Sequence, residues 1–106
     1  MKKLSSIILF MFCFSAFAEP TILEFYATWC PPCNRIAPIV EKVSKDMNIS
    51  LRKIDIDKNR PTVKEFNITS IPALVVIKDG KVVGKIVGFK EEDELKEALN
   101  EMLNSK

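Results

Sequence analysis

The sequence predicts a single α/β domain: a four-stranded mixed sheet flanked by helices on both faces. After residue 20, β-type and helical segments follow one another in the order β-α-β-α-β-β-α. A long helical segment separates the first two β-type segments, and the usual right-handed crossover makes such strands parallel neighbours. Asp79-Gly80 separates the last two, which is a strong signal for an antiparallel hairpin.

The first three elements surround a cysteine motif. Thr21–Ala27 is a short β-type run that is apolar on both faces except for one glutamate, which indicates a buried central strand. Apolar residues at helical spacing predict a helix over Pro31–Met47, and Pro38 inside it should kink it. Alternation then predicts a second strand over Ile49–Asp57.

The remaining elements begin with a short helix. Asn59 offers an N-cap and Pro61 an early helical proline, so this helix is predicted over Pro61–Phe66. Two hairpin strands and an amphipathic helix follow, the latter with four acids at its start, where the helix dipole favours negative charge. Their ranges are Ala73–Lys78, Lys81–Val87 and Glu91–Leu103.

Composition and charge exclude several function classes. The chain of 106 residues is 47% hydrophobic and 28% charged, as one ordinary globular domain would be. It contains no histidine, which excludes histidine-activated nucleophiles and histidine-ligated metals. Its 16 basic and 14 acidic residues are interspersed, and Lys2 and Lys3 account for the formal net charge of +2. We therefore expect no nucleic-acid partner.

Residues 1–18 have the pattern of a secretory signal peptide. Two lysines form a positive start, Leu4–Phe17 is an apolar run broken only by serines, and Ala16 and Ala18 place small residues where signal peptidase cleaves. We expect a mature domain of residues 19–106 in the periplasm, where disulfides persist. An uncleaved membrane anchor is the alternative, although the run is shorter than the roughly 20 residues that span a bilayer.

Cys30-Pro31-Pro32-Cys33 is the candidate functional motif. Haem attachment needs a histidine after the second cysteine, and Asn34 stands there. A structural zinc site needs four cysteine or histidine ligands, and only two cysteines follow residue 18, so we expect no metal. Redox chemistry is the favoured interpretation. An inert structural disulfide is the alternative, although so short a loop gains little from cross-linking.

The predicted position of Cys30 suits a reactive thiol. It would lie just before the first helical turn, where free N–H groups and the helix dipole stabilise a thiolate, the attacking species in disulfide exchange. Cys33, one turn further, could attack the mixed disulfide and release the reduced substrate. Pro31 and Pro32 fit the first turn and rigidify the loop, but they remove two possible N–H donors to the thiolate.

The motifs resemble those of the thioredoxin family. Residues 25–33 (FYATWCPPC) look like its active-site segment, and the similarity covers residues 19–103. It implies a minimal thioredoxin-like fold that begins almost at the active-site strand, without the first strand and helix of ordinary thioredoxins. The other segments that carry the resemblance are Ile36-Ala37-Pro38, Lys53–Asp57 (KIDID), Ile71-Pro72, Lys78–Lys81 (KDGK) and Val87-Gly88.

The resemblance implies a role for each motif residue. Cys30 is then the nucleophile and Cys33 the resolving cysteine. Pro72 matches the cis-proline that faces the cysteines, with Ile71 offering backbone groups to an extended substrate peptide. The other candidates for substrate binding are Trp29, Pro31, Pro32 and Gly88.

Glu24 is the only charge in the first predicted strand, six residues before Cys30. The family's buried carboxylate falls at this position, and burial would raise its pKa, which makes Glu24 a candidate proton acceptor for Cys33. Lys53 matches the lysine that pairs with that carboxylate. A purely structural ion pair, or an exposed charge at the edge of the sheet, is the alternative.

We expect a periplasmic thiol:disulfide oxidoreductase that reduces disulfides of exported proteins. Ile71 before Pro72 and the absence of histidine between the cysteines favour this direction. The cysteine pair carries the electrons, so no further cofactor is expected. A membrane thiol-electron donor would reduce the pair again, and we expect a monomer. The alternatives are a disulfide oxidase or isomerase, and a non-catalytic binding subunit in which the cysteines are incidental.

Overall fold

A computed structural model describes residues 19–104, so the predicted signal peptide over residues 1–18 lies outside the described residues. The predicted order of elements is confirmed, and each boundary falls within two residues of its predicted place. In chain order the elements are β1 Thr21–Tyr26, α1 Pro31–Asp46, β2 Ser50–Asp55, α2 Arg60–Glu65, β3 Ala73–Lys78, β4 Lys81–Val87 and α3 Glu92–Asn104.

The four strands form one mixed sheet in the order β2-β1-β3-β4. β1 runs parallel to β2, with Glu24 opposite Lys53, and antiparallel to β3, with Glu24 opposite Leu74. β3 and β4 form the predicted hairpin. At its turn Asp79 and Gly80 have φ values of 54° and 77°, as a two-residue turn with two left-handed positions requires.

Apolar side chains cover both faces of the sheet. On one face β1, β3 and β4 pack against α1 and α3 through a buried cluster. On the other face a second cluster packs against α2 and the loop before β3. The first cluster is formed by Ile22, Ile36, Val40, Val43, Ile49, Leu74, Val76, Ile86, Leu95 and Leu99, and the second by Leu23, Phe25, Ala73 and Val75. β1 is thus a buried central strand, as predicted.

α3 lies close against β4 because one residue there has no side chain. A Cβ atom at Gly84 would collide with the thioether of Met102. Two lysines and two acids also join α1 to α3 at the surface, where Glu92 accepts contacts from Lys42 at 2.6 Å and Lys96 at 3.2 Å. Within residues 19–104, no helix has both the length and the apolar character needed to cross a bilayer.

Asn59 differs from its predicted role. It occupies the N-cap of α2, but its side chain makes no capping hydrogen bond. The amide Nδ2 instead donates to the carbonyl oxygen of Asp55 at 3.0 Å, across the turn that leaves β2. The side chain thus donates to the preceding turn and does not accept from the first N–H groups of the helix, so Asn59 stabilises the turn.

Candidate active site

The cysteine pair lies at the start of α1. Cys30 is the N-cap, with extended backbone (φ −102°, ψ 107°), and Pro31 and Pro32 take the first two helical positions. Proline fits there because these positions have no intrahelical acceptor for an N–H group. Cys30 and Cys33 form a disulfide, their Cα atoms are 5.3 Å apart, and both residues are buried.

The two prolines limit the hydrogen bonding of the Cys30 sulfur. Neither Pro31 nor Pro32 has a backbone N–H, so the first amide of α1 that can reach Cys30 is that of Cys33. This N–H donates to Cys30 Sγ at 3.2 Å and is the sole hydrogen bond to that sulfur found among residues 19–104. The helix start therefore stabilises negative charge on Cys30 through one donor and the helix dipole.

Two further loops meet the cysteines at this end of the sheet. The Ile71–Pro72 peptide bond is cis, and Ile71 packs on the small cluster of Ala27, Cys30 and Cys33. The carbonyl oxygen of Pro72 accepts a hydrogen bond from Gly88 N–H at 2.8 Å. Gly88 has φ 92°, a left-handed conformation that suits glycine. The loops before β3 and after β4 are thus joined beside the disulfide.

An exposed tryptophan borders the site. Trp29 is 65% exposed, and its indole Nε1 donates to Asp57 Oδ2 at 2.9 Å. The ring forms one wall of a mostly apolar groove of about 200 Å³, which we call the Trp29 groove. The other residues that line it are Ile56, Val63, Ile68, Thr69, Ser70 and Ile71. A partner with an extended, partly apolar segment fits a groove of this kind.

Sequence reasoning missed Asp57 and most of the groove. Asp57 stands two residues after the end of β2. That strand is parallel to β1, so both end at the same edge of the sheet, where the cysteines lie. This placement was the available signal. Ile56, Val63 and Ile68 gave no such signal, because isolated apolar residues look alike whether they line a groove or fill a core.

Glu24 is completely buried in the middle of β1. Neither of its carboxylate oxygens has a hydrogen-bond partner within residues 19–104. Burial raises the pKa of Glu24, the positive charge of Lys53 lowers it, and the negative charge of Glu41 raises it again. The alternative of an exposed charge at the sheet edge is therefore wrong, because β1 is a central strand.

Lys53 contacts a different partner from the one expected. Its Nζ lies 3.5 Å from Glu41 Oε2 of α1 and 5.5 Å from the centre of the Tyr26 ring. No hydrogen bond or salt bridge joins Lys53 to Glu24 within the described part of the chain, so the predicted direct pair needs correction. A salt bridge with a fully buried carboxylate would require the ammonium group to lose its water, whereas Glu41 is exposed. Lys53 acts on Glu24 only as a charge at a distance.

No cluster of three or more histidine, cysteine or acidic side chains that could hold a metal ion occurs among residues 19–104. The candidate site offers instead the two buried cysteine sulfurs and the buried Glu24 carboxyl. Such a set suits the transfer of electrons and protons between thiols and a disulfide.

Fold and site together define a thiol:disulfide oxidoreductase with a dithiol at a helix N-terminus. The family model described as Thioredoxin matches residues 13–101. The chain is 43% identical to the thioredoxin of Bacillus subtilis (strain 168) over 84 residues, which cover 77% of this chain and 81% of that protein. The chain belongs to the thioredoxin family and is an enzyme of disulfide oxidoreduction.

Two further comparisons, with one sequence and one solved structure, also find thioredoxins. The thioredoxin of Staphylococcus haemolyticus (strain JCSC1435) is 42% identical over 84 residues, with the same 77% and 81% coverage. Among solved structures, a mutant thioredoxin from Halobacterium salinarum NRC-1 superposes with a TM-score of 0.75 at 32% identity. That match covers 80% of this chain and 75% of the other. The thioredoxin-like fold implied by the motifs is confirmed.

Proposed function

We propose that this protein is an exported reductant, which uses a Cys30–Cys33 dithiol to reduce disulfides of proteins in the periplasm. The observation that carries the direction is the single N–H donor to Cys30 Sγ. Disulfide oxidants are strong when their reduced form is stabilised. A helix start with two prolines provides few donors to the thiolate, which supports a more reducing pair. Export rests on the signal pattern of residues 1–18.

The first step is attack on the substrate. The Cys30 thiolate attacks one sulfur of the substrate disulfide, a bond forms between the two sulfurs, and the substrate S–S bond breaks. The leaving thiolate takes a proton from solvent. Ile71 and Pro72 would hold the substrate strand beside the sulfur, and the Trp29 groove would receive a flanking apolar side chain.

The second step releases the product. Cys33 gives its proton to the Glu24 carboxylate and attacks Cys30 Sγ, so that the Cys30–Cys33 bond forms and the second substrate thiolate leaves. Two electrons have then passed from the protein dithiol to the substrate. A buried carboxyl with a raised pKa suits this step, because a stronger base accepts a thiol proton more readily. No cofactor beyond the cysteine pair takes part.

Renewal of the dithiol needs a donor outside the cytosol. We assign this role to a membrane thiol-electron donor, since soluble cytosolic reductants cannot reach an exported protein. The donor would attack the Cys30–Cys33 disulfide by the same exchange, in reverse. We propose that the protein acts as a monomer in both exchanges.

Thiol trapping in the bacterium tests the proposal. Cells that express the full chain are quenched in acid, fractionated and alkylated, and the mass of the protein gives both its N-terminus and its redox state. We expect a periplasmic protein that begins at Glu19 with both cysteines predominantly reduced, and oxidised when the membrane donor is absent. A fully oxidised pair at steady state would favour the disulfide oxidase. Undiminished function of a C30S/C33S variant would favour the binding subunit.

A further inference from the structure

Lys53 is placed between two carboxyl groups and contacts only one of them. Its residue is the register partner of Glu24 on the neighbouring parallel strand. Partners in a parallel pair point to the same face of the sheet, which here is the face under α1. The ammonium group nevertheless lies 3.5 Å from Glu41 Oε2 on the surface of α1.

Glu24 stays without a partner as a result. It is completely buried, and neither oxygen accepts or donates a hydrogen bond within residues 19–104. A buried polar group without a partner destabilises a protein, so its persistence in a central strand needs a reason. The obvious remedy, a salt bridge to Lys53, is available at the directly paired register position.

We propose that Glu41 is a positioning residue, whose salt bridge holds the Lys53 ammonium group at the surface so that the Glu24 carboxyl stays unpaired and free to take a proton from Cys33. The inference deepens the proposed function and rests on it for the role of Glu24. The contact between Lys53 and Glu41 stands on the structure alone.

The charged groups that act on Glu24 come from two elements. Lys53 is on β2 and Glu41 is on α1, while β3 contributes the apolar Leu74 at the paired position. From its own strand, Tyr26 lies beneath the Lys53 ammonium group. The two cysteines at the start of α1 do not titrate while they form the disulfide.

Loss of Glu41 therefore changes the pKa of Glu24 in two ways that have the same sign. The variant E41Q removes a negative charge that raises this pKa, and it releases Lys53, whose positive charge lowers it. K53M should have the opposite effect. If Glu41 acts mainly through Lys53, E41Q should change little in a K53M background.

The experiment is an NMR titration of the Glu24 carboxyl carbon in the oxidised, disulfide-bonded protein. The matched control is D46N, which removes an equal charge from α1 but whose salt bridges are to Lys42 and Lys96. We expect E41Q to lower the pKa of Glu24 by roughly half a unit, a typical size for one exposed ion pair. D46N should leave it within about 0.2 units, and K53M should raise it.

Three results would overturn the inference: equal shifts in E41Q and D46N, an upward shift in E41Q, or an undiminished E41Q shift when Lys53 is Met or Gln. The proposed role of Glu24 is tested separately, by the pH profile of mixed-disulfide release in E24Q. If E24Q releases product at the wild-type rate at every pH, Glu24 is not the proton acceptor, whatever the NMR titration shows. If E24Q slows product release but E41Q leaves the pKa of Glu24 unchanged, the positioning role of Glu41 is wrong and the proton-acceptor role of Glu24 stands.

Discussion

Two regions of the molecule break the ordinary rule of burial in opposite ways. On one side a carboxyl group, Glu24, is completely buried without a partner, while on the other a large aromatic ring, Trp29, is 65% exposed. The exposed ring has its polar atom satisfied by Asp57, and the buried carboxyl has none. Each arrangement costs stability or solubility that a structural role alone would not require. We propose that the buried side transfers protons and that the exposed side binds substrate.

The largest effect should come from removing the Cys30 sulfur, on which the proposed roles of both regions depend. Cys30→Ser should lower the rate of protein-disulfide reduction by several orders of magnitude, because the hydroxyl group is not ionised near neutral pH. Turnover of a disulfide-bonded protein substrate measures this. Cys33→Ser should behave differently, since its intact Cys30 should accumulate as a mixed disulfide visible by mass. Comparable turnover in C30S and wild type would mean that Cys30 is not the nucleophile.

Glu24→Leu should separate stability from activity on the buried side. The substitution removes a buried carboxyl that has no partner, so the free energy of unfolding should rise by about 1–3 kcal/mol while turnover falls. Urea unfolding and protein-disulfide reduction measure the two quantities. Glu24→Gln is the control that keeps the shape and polarity. A destabilised E24L protein would mean that the carboxyl has a partner in solution.

The same carboxyl predicts how stability depends on pH. The pKa of Glu24 is raised above its ordinary value of 4.5, so the folded state holds its proton at pH values where the unfolded state has lost it. Wild-type stability should therefore fall, relative to E24Q, as pH rises from about 4.5 to the folded-state pKa, and the difference should then level off. Urea unfolding of both proteins across this range checks the sign. Wild-type stability that instead rises relative to E24Q with increasing pH would contradict burial of the carboxyl.

Trp29→Ala should affect binding without affecting the fold. The ring is mostly exposed, so stability should change little, whereas the KM for a protein substrate should rise about tenfold, a usual loss for a central aromatic contact. A small disulfide that cannot fill the Trp29 groove should be reduced at an unchanged rate. Asp57→Asn is a milder variant, since it keeps an acceptor for the indole N–H. An equal loss with the small disulfide would assign Trp29 to the chemical step.

The surface contact between α1 and α3 should give the smallest effect. Lys42 is exposed and Glu92 is partly exposed, so Lys42→Ala should lower the urea midpoint slightly at low salt and not at high salt. Turnover should not change. A loss that persists in 1 M salt would mean that packing, not charge, holds these two helices together.

The order of the elements and the place of the cysteines could be predicted because both have local signals. Asp79-Gly80 specifies its turn by backbone conformation, and the prolines after Cys30 specify a helix start. The partner of Lys53 had no such signal. It depends on how α1 lies over β2, which brings Glu41 within reach although the two residues are twelve positions apart in sequence.

The Trp29 groove was hidden from the sequence for a similar reason. Its walls come from the loop after β1, the end of β2, α2 and the loop before β3. None of these segments has a pattern of its own that distinguishes a groove from a core. Asn59 shows the limit of a local rule, because its side-chain amide donates to the preceding turn and makes no capping hydrogen bond to the helix.

The reduction potential of the Cys30–Cys33 pair tests the central claim most directly. The protein of residues 19–106 is equilibrated against defined thiol–disulfide buffers, and Trp29 fluorescence or alkylation mass gives the oxidised fraction. With a single N–H donor to Cys30 Sγ, we predict a potential at the reducing end of the scale, near the value of about −270 mV known for thioredoxin. A potential near about −120 mV, that of a strong periplasmic oxidant, would contradict the claim and make the protein a disulfide-forming enzyme.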